Sequence, residues 1–174
     1  MSGSSLFVLG GARSGKSRYA QARAEVAGGN PVFIATAEAF DDEMRARIAR
    51  HQADRDARWR TVEAPRDLPG AIDALNSSEA VVLVDCLTLW VSNLLLAGAN
   101  IPLAGSELCR AISRFEGQLI LVANEVGLGI VPDNALARAF RDAAGQLNQS
   151  VAAAVEEVVL LTAGLPLTLK QRGI

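Results

Sequence analysis

Five short apolar runs occur along the chain, and amphipathic patterns with helical spacing lie between them. The runs cover residues 6–9, 31–36, 80–84, 119–123 and 158–162. Each run is continuous rather than alternating, which is typical of strands whose two faces are both buried. The patterns between them predict helices over residues 15–27, 42–57, 67–75, 87–97 and 104–116, and a last helix capped by Asp133.

This alternation of strands and helices predicts an α/β fold, with a mostly parallel sheet and helices on both faces. In such sheets, ligands bind beyond the carboxyl ends of the strands. The predicted strands end at Gly10, Thr36, Asp85 and Glu125. We therefore expect the functional residues to lie at this edge of the sheet.

Length and composition limit the class of protein. The chain has 174 residues, of which 50% are hydrophobic and 21% are charged, so one globular domain over residues 1–174 is predicted. The formal net charge of −2 argues against a nucleic-acid partner bound through bulk positive charge. Residues 86–106 carry no charge, but Asn100, Pro102 and Gly105 interrupt them, which predicts a buried helix and a loop rather than a membrane span.

The two cysteines, Cys86 and Cys109, have no metal-ligand spacing. They are expected to be buried free thiols in a reducing compartment. The first residues contain no secretory apolar segment. Together these features predict a cytoplasmic protein.

A glycine-rich segment, which we call the phosphate loop, follows the first predicted strand and precedes the first predicted helix. Glycines allow successive backbone N–H groups to point at one anion, and the helix N-terminus adds partial positive charge. Lys16, one of only two lysines, would reach the β- and γ-phosphates, and the Ser17 hydroxyl would ligate Mg²⁺. The segment therefore predicts a P-loop NTPase fold that binds a nucleotide. Its residues, which fit G-x-x-x-x-G-K-[ST], are Gly10, Gly11, Ala12, Arg13, Ser14, Gly15, Lys16 and Ser17.

Two carboxylates follow later predicted strands. Asp85 closes an apolar run, as the magnesium-binding acid of P-loop enzymes does, so we predict that it holds Mg²⁺ with Ser17. The alternative is that Asp85 caps the next helix through a backbone N–H near Leu87 or Thr88. Glu125 precedes a loop whose glycines would allow a ligand to approach closely; its alternative is a loop carboxylate without a role.

His51 is the only histidine of the chain. On a helix it would share one face with Arg47 and Arg55. The two cations would keep the imidazole neutral near pH 7, and a neutral imidazole is a nucleophile toward phosphorus. The alternative is a solvated helix face on which nearby carboxylates offset the arginines, and spacing alone favours that alternative.

Several segments together resemble one enzyme family. They are residues 10–17, Thr36-Ala37-Glu38, the segment 47–51, the pattern Trp59-x-Thr61-x-Glu63-x-Pro65, and the segments 84–90 and 124–132. The chain from Leu6 to about Leu169 is similar to the bifunctional adenosylcobinamide kinase/adenosylcobinamide-phosphate guanylyltransferases of cobalamin biosynthesis. The resemblance implies a RecA-like sheet and a homotrimer.

The resemblance also implies two reactions. A nucleoside triphosphate phosphorylates adenosylcobinamide, a corrinoid, and GTP then donates GMP to the product through a histidine, which His51 matches. This match reverses the expectation from spacing alone. The remaining residues are implied as GTP contacts: residues 10–17, Thr36, Ala37, Glu38, Gln52, Ala53, Asp54, Arg55, Glu63 and Asp85.

Several points stay open at this level. The kinase step could use ATP or GTP, and its general base could be Asp85 or Glu125. Trp59 and Phe40 are candidates for contacts with the corrinoid. A P-loop kinase in which His51 is structural is one competing hypothesis. A non-catalytic nucleotide switch is another, although the Asn-Lys-x-Asp element that guanine switches use is missing after Asn124.

Overall fold

The computed structural model describes residues 3–38 and 58–171. In these residues, seven strands form one sheet and five helices pack on it. The strands are β1 Ser4–Gly10, β2 Val32–Ala35, β3 Arg60–Glu63, β4 Val81–Asp85, β5 Gln118–Asn124, β6 Glu157–Thr162 and β7 Leu165–Lys170. The helices are α1 Lys16–Ala27, α2 Leu68–Ala74, α3 Leu87–Leu96, α4 Ile101–Arg114 and α5 Ala135–Ala154.

The strand order across the sheet is β3-β2-β4-β5-β1-β6-β7. All neighbouring pairs are parallel except β6 and β7, which are antiparallel. The predicted α/β class and the five predicted strands are therefore confirmed. Because β5 lies between β1 and β4, the ends of β1, β5 and β4 are neighbours at the carboxyl edge of the sheet.

Apolar side chains on the two faces of the sheet form two buried clusters. The larger cluster joins one face to α2, α3, α4 and α5, and includes Trp90, Leu108 and Val151. The smaller one joins the other face to Ala20 and Ala24 of α1. Small residues there let α1 approach the sheet closely, so the phosphate loop that begins this helix rests on a rigid support.

The uncharged stretch, residues 86–106, begins with a buried helix, as predicted, but the predicted loop is short, because Pro102 and Gly105 already belong to α4. Helix α3 buries Leu87, Trp90, Val91 and Leu94 against the sheet. Among the described residues, no helix has both the length and the apolarity that a bilayer span requires.

Two strands were not predicted from the sequence. β3 has only four residues, mostly polar and exposed, and it gains its place by pairing with β2 at the edge. β7 contains Pro166 and is the opposite, exposed edge strand. Proline is tolerated on such an edge, because an edge strand leaves alternate N–H groups without a partner strand.

Two helix predictions differ from the structure at their N-termini, and a third is not tested by it. Helix α4 begins at Ile101 rather than residue 104, because Asn100 caps it by accepting a hydrogen bond from Leu103 N–H at 3.0 Å. Helix α5 is capped by Asn134 rather than Asp133, through a 2.7 Å hydrogen bond from Ala137 N–H. The predicted helix over residues 42–57 lies outside the described residues.

Lys170 ties the end of β7 to the end of α5. Its ammonium donates to the carbonyls of Ala152, Ala153 and Val155 at 2.9, 3.0 and 2.5 Å. These are among the last carbonyls of the helix, which lack partners within it and carry its partial negative charge. The second lysine therefore fixes the exposed edge strand to the C-terminal end of α5.

Candidate functional site

The phosphate loop connects β1 to α1 and has the backbone conformation that its glycines permit. Gly15 precedes the helix at φ +93°. A side chain on Gly10 would lie 2.9 Å from the carbonyl oxygen of Leu161 and against the Ser14 hydroxyl. Lys16 Nζ lies over the loop and donates to the Gly11 carbonyl at 3.1 Å. The loop thus places an ammonium and the N-terminus of α1 at one concave backbone segment, a known arrangement for binding phosphate.

Exposure differs along this loop. Gly11, Ala12 and Arg13 are exposed, whereas Ser14 is only 8% exposed. Ser14 Oγ has no hydrogen-bond partner among the described residues. A buried hydroxyl without a partner is costly in most folds, so its presence in a phosphate-binding segment fits a ligand-binding role of this loop.

Strand β5 brings Glu125 next to the phosphate loop. Glu125 N–H donates to the Gly10 carbonyl at 3.0 Å, and Asn124 N–H donates to Thr88 Oγ1 at 2.7 Å. The Glu125 carboxylate accepts a hydrogen bond from Gly127 N–H at 2.7 Å. The side chain is therefore oriented by its own loop at the centre of the carboxyl edge.

Asp85 does not act as a helix cap. The cap position of α3 is Cys86, and no side chain there accepts a hydrogen bond from the first turn. Asp85 is half-buried at the end of β4. Burial, together with the negative charge of Asp85, raises the pKa of the neighbouring Cys86 thiol to about 11. That thiol is therefore protonated and unreactive near neutral pH.

The predicted pair of buried thiols is only partly correct. Cys86 is buried, whereas Cys109 is half-exposed on α4. Desolvation raises the pKa of the Cys109 thiol as well. Both cysteines are free.

Ser17 and Asp85 fit a magnesium ion in the way that P-loop proteins bind it. Both offer oxygen atoms, which Mg²⁺ prefers, and the ion typically keeps several waters and phosphate oxygens as its other ligands. The described residues contain no cluster of three or more histidine, cysteine, aspartate or glutamate side chains that would hold a metal without a nucleotide. These two residues therefore suit a metal that arrives with a triphosphate.

Glu38 and Glu63 lie together at the far side of the carboxyl edge. They line an open cavity of about 620 Å³ with Pro65, Arg66 and Asp67. Arg66 Nε donates a hydrogen bond to Glu38 Oε1 at 3.2 Å. Trp90 Nε1 donates a hydrogen bond to the Arg66 carbonyl at 2.7 Å and so fixes the backbone there. A larger cavity of about 880 Å³ lies between α4 and α5, and no predicted site residue lines it. The candidate site therefore comprises the smaller cavity and the phosphate loop.

Thr36 and Ala37 lie between these two parts of the site, after β2. Thr36 is fully buried, and its hydroxyl is bonded to the backbone of Cys86. Its carbonyl accepts a hydrogen bond from Asn93 Nδ2 at 2.7 Å. Thr36 thus holds the backbone after β2 against the backbone of Cys86 and the side chain of Asn93. Ala37, which is half-buried, lies between Thr36 and Glu38 in the chain.

Some predicted residues lie elsewhere. His51, the segment 52–55 and Phe40 are outside the described residues. Trp59 is not a candidate for contacts with the corrinoid, because it lies at the amino edge of the sheet. There its indole Nε1 donates to Glu25 at 3.4 Å, near the end of α1.

The loop predicted after Glu125 exposes large aliphatic side chains, which its glycines alone did not indicate. Leu128, Ile130 and Val131 are 87%, 97% and 60% exposed. The sequence feature that could have indicated this surface is three large aliphatic residues near two glycines, shortly after the end of a strand. Because the loop begins beside Gly10, it forms one side of the site.

Comparison with solved structures supports the fold. A protein of Pyrococcus horikoshii OT3 matches with a TM-score of 0.55 and 11% identity, covering 98% of this chain and 87% of that one. The P4 protein of bacteriophage φ6, solved in complex with ADP, matches with a TM-score of 0.52 and 15% identity, covering 98% and 56%. With the strand order and the phosphate loop, these matches identify the RecA-like P-loop NTPase fold.

Sequence comparison identifies the family. Residues 6–169 match the family model of cobinamide kinase / cobinamide phosphate guanyltransferase. The bifunctional adenosylcobalamin biosynthesis protein CobP of Pseudomonas aeruginosa is 46% identical over 165 residues, covering 94% of this chain and 95% of that protein. The corresponding CobU proteins are 44% identical in Salmonella typhimurium and 41% in Escherichia coli, each covering 95% of this chain and 99% of the relative. The chain therefore belongs to the cobinamide kinase / cobinamide phosphate guanylyltransferase family of cobalamin biosynthesis.

Proposed function

We propose that this transferase carries out two successive reactions at the carboxyl edge of its sheet. In the first, a nucleoside triphosphate phosphorylates the aminopropanol hydroxyl of adenosylcobinamide. In the second, GTP donates GMP to that phosphate through a guanylyl-histidine at His51, which yields adenosylcobinamide-GDP and pyrophosphate. The observation that carries the proposal is the joint placement of the phosphate loop, Asp85 and Glu125 at one edge of a protein of this family.

The nucleotide would lie across the edge, from the phosphate loop to the cavity of Glu38 and Glu63. β1 and β2 are three strand spacings apart, which is about 14 Å at about 4.8 Å per strand. An extended nucleoside triphosphate spans a distance of this order, so its base would reach the cavity. Guanine presents a 2-amino donor that adenine lacks, and a carboxylate is an acceptor only. We therefore infer that Glu63 or Glu38 selects guanine.

In the kinase step, the acceptor hydroxyl oxygen attacks the γ-phosphorus while the bond to the β-phosphate oxygen breaks. Lys16 and the backbone N–H groups of the loop would neutralise the charge that develops on the leaving diphosphate. A magnesium ion held by Ser17 and Asp85 would supply further charge neutralisation on the phosphates. Since Asp85 would serve the metal, Glu125 takes the hydroxyl proton.

In the guanylyl step, a nitrogen of His51 attacks the α-phosphorus of GTP, and the bond to the pyrophosphate oxygen breaks. The same loop would hold the departing pyrophosphate. A phosphate oxygen of the phosphorylated corrinoid then attacks the α-phosphorus, the phosphorus–nitrogen bond breaks, and His51 is restored. Two displacements through a covalent intermediate replace one that is more difficult.

The acceptor is a corrinoid, a large ring with many methyl and amide substituents. It must approach the γ-phosphate from the solvent side, where the loop that follows Glu125 exposes Leu128, Ile130 and Val131. Exposed apolar groups of this kind often mark binding surfaces. We propose that this loop contacts the corrinoid. We also propose, from the family resemblance alone, that the active protein is a homotrimer.

The two half-reactions, assayed separately, test this proposal. Lys16→Ala should impair both, because both need the triphosphate held by the loop. His51→Ala should abolish GMP transfer and keep phosphorylation, and Glu125→Gln should do the reverse. If His51→Ala forms adenosylcobinamide-GDP at the normal rate, the covalent mechanism through His51 is wrong. If the wild type phosphorylates adenosylcobinamide but transfers no GMP, a P-loop kinase with a structural histidine is favoured.

A further inference from the structure

The phosphate loop is in contact with a turn that is remote in sequence, between β6 and β7. Gly164 N–H in this turn donates a hydrogen bond to the carbonyl of Ser14 at 2.9 Å. A side chain added at Gly15 would lie 3.4 Å from the Cα of Gly164. The two backbone segments therefore pack directly against each other, without side chains between them.

The turn is a tight hairpin of fixed geometry. Thr162 pairs with Leu165, so only Ala163 and Gly164 lie between the strands. Both have positive φ, +52° for Ala163 and +79° for Gly164. Positive φ at both central residues is the mark of the type I′ turn, which matches the twist of a hairpin. The direction of the Gly164 N–H is thereby set by the fold.

This hydrogen bond controls the orientation of one peptide group in the phosphate loop. The peptide between Ser14 and Gly15 is planar, and its C=O and N–H point in opposite directions. Holding the Ser14 carbonyl toward Gly164 therefore holds the Gly15 N–H on the other side. A reversed peptide would present a carbonyl oxygen to the bound phosphate in place of a donor.

We propose that the turn of Ala163 and Gly164 is a positioning element for the phosphate loop, and that it sets nucleotide affinity through the Ser14 carbonyl. Lys170 strengthens this arrangement, since it fixes the other end of β7 to α5. The C-terminal hairpin, which contributes no predicted site residue, thus acts on the site through the backbone. The inference rests on the proposed role of the loop in binding the nucleotide.

A pair of one-glycine insertions tests this role. The first, between Ala163 and Gly164, moves the donor away from Ser14. The control, between Gly28 and Gly29, lengthens another turn with two positive φ angles, +82° and +76°, after α1 at the amino edge. For each variant, the dissociation constant of a fluorescent GDP analogue with Mg²⁺ and the urea midpoint are measured. We expect the first insertion to raise that constant at least tenfold and the control to change it less than twofold.

Equal nucleotide affinity in both folded insertion variants would overturn the inference. If the first insertion prevents folding, Gly164→Ala and Gly29→Ala replace the pair, because each puts a side chain at positive φ with open space around it. Only Gly164→Ala should weaken nucleotide binding, and equal effects would again contradict the inference. Lys16→Ala distinguishes failure of the proposed nucleotide-binding role of the loop from failure of the inference about the turn. If Lys16→Ala leaves nucleotide affinity unchanged, both are wrong. If Lys16→Ala weakens binding and the turn variants do not, the inference alone is wrong.

Discussion

Thr36 and Cys86 are joined by two hydrogen bonds that both use the Thr36 hydroxyl. Oγ1 donates to the Cys86 carbonyl at 2.7 Å and accepts from the Cys86 N–H at 2.9 Å. The pair connects the end of β2 to the residue after Asp85. Thr36 therefore contributes to the site by fixing the position of Asp85, whereas its side chain is fully buried and faces away from solvent.

Replacing this hydroxyl should destabilise the fold. In Thr36→Val, the buried Cys86 N–H loses its partner and the Cys86 carbonyl keeps only the Trp90 N–H at 3.3 Å, which we expect to lower the free energy of unfolding by about 1–3 kcal/mol. Thr36→Ser keeps both hydrogen bonds and loses one methyl group, so its loss should be about 1 kcal/mol. Urea unfolding measures both, and a valine variant as stable as the serine variant would show that the bonds contribute little.

The ion pair of Arg23 and Glu157 should make stability depend on acid pH. Arg23 on α1 donates to both carboxylate oxygens of Glu157 on β6, at 3.0 and 2.7 Å. The hydrogen bond from Arg23 lowers the pKa of Glu157 below its ordinary value. This stabilisation is therefore complete above the ordinary glutamate pKa of about 4.3 and is lost as pH falls through the lowered folded value.

Glu157→Gln should accordingly flatten the fall of unfolding free energy below about pH 4.3. The effect should be modest, because both side chains are about one third exposed to solvent. Chemical denaturation from pH 7 to pH 3 measures it, with Glu79→Gln on an exposed turn as the control. A Glu157→Gln variant with the acid dependence of the wild type would refute this assignment.

Loss of the Lys170 ammonium should loosen the C-terminal edge of the sheet. Lys170→Met removes three donors from the carbonyls at the end of α5, and we expect a loss of about 1–3 kcal/mol in unfolding free energy. Lys170→Arg keeps the charge and should recover part of the loss. Identical denaturation midpoints for Lys170→Met and the wild type would exclude this anchoring role.

Glu63 should distinguish nucleotides that differ only in the 2-amino group of the base. If its carboxylate accepts from guanine, the wild type should bind GTP more tightly than inosine triphosphate by about tenfold to a hundredfold. Glu63→Gln loses the charge but keeps an acceptor oxygen, so it should reduce that preference, and Glu63→Leu, which has no acceptor, should remove most of it. Asp67→Asn, a neighbour in the same cavity that can still cap α2, is the matched control. An unchanged preference in Glu63→Gln would point to Glu38 or to residues beyond this cavity.

The strongest local signals in the sequence predicted the central sheet correctly. Continuous apolar runs such as residues 80–84 are buried strands, and the phosphate loop lies between a strand and a helix as its pattern requires. The edge strands were missed, because β3 and β7 depend on pairing with neighbours and carry no apolar run of their own. Periodicity in the chain cannot show such tertiary pairing.

The same limit applies to the site. The positions of Asp85 and Glu125 at the ends of predicted strands placed both at the carboxyl edge of the sheet. The sequence pattern could not show that Thr36 is buried or that Gly164 contacts Ser14. Both depend on hydrogen bonds to backbone groups of residues far apart in sequence, and such bonds leave no mark in the hydrophobic pattern. The role of His51 likewise came from family resemblance, since its arginine-rich surroundings alone favoured a solvated helix face.

The most direct measurement for the two-reaction account is mass spectrometry of the protein after incubation with GTP and Mg²⁺, with the adduct mapped by peptide analysis. The account predicts one GMP group on the peptide that contains His51, labile in acid, and none in His51→Ala. Because the chain has no second histidine, no other imidazole can replace it. Absence of the adduct in active protein, or its presence on another residue, would contradict the account.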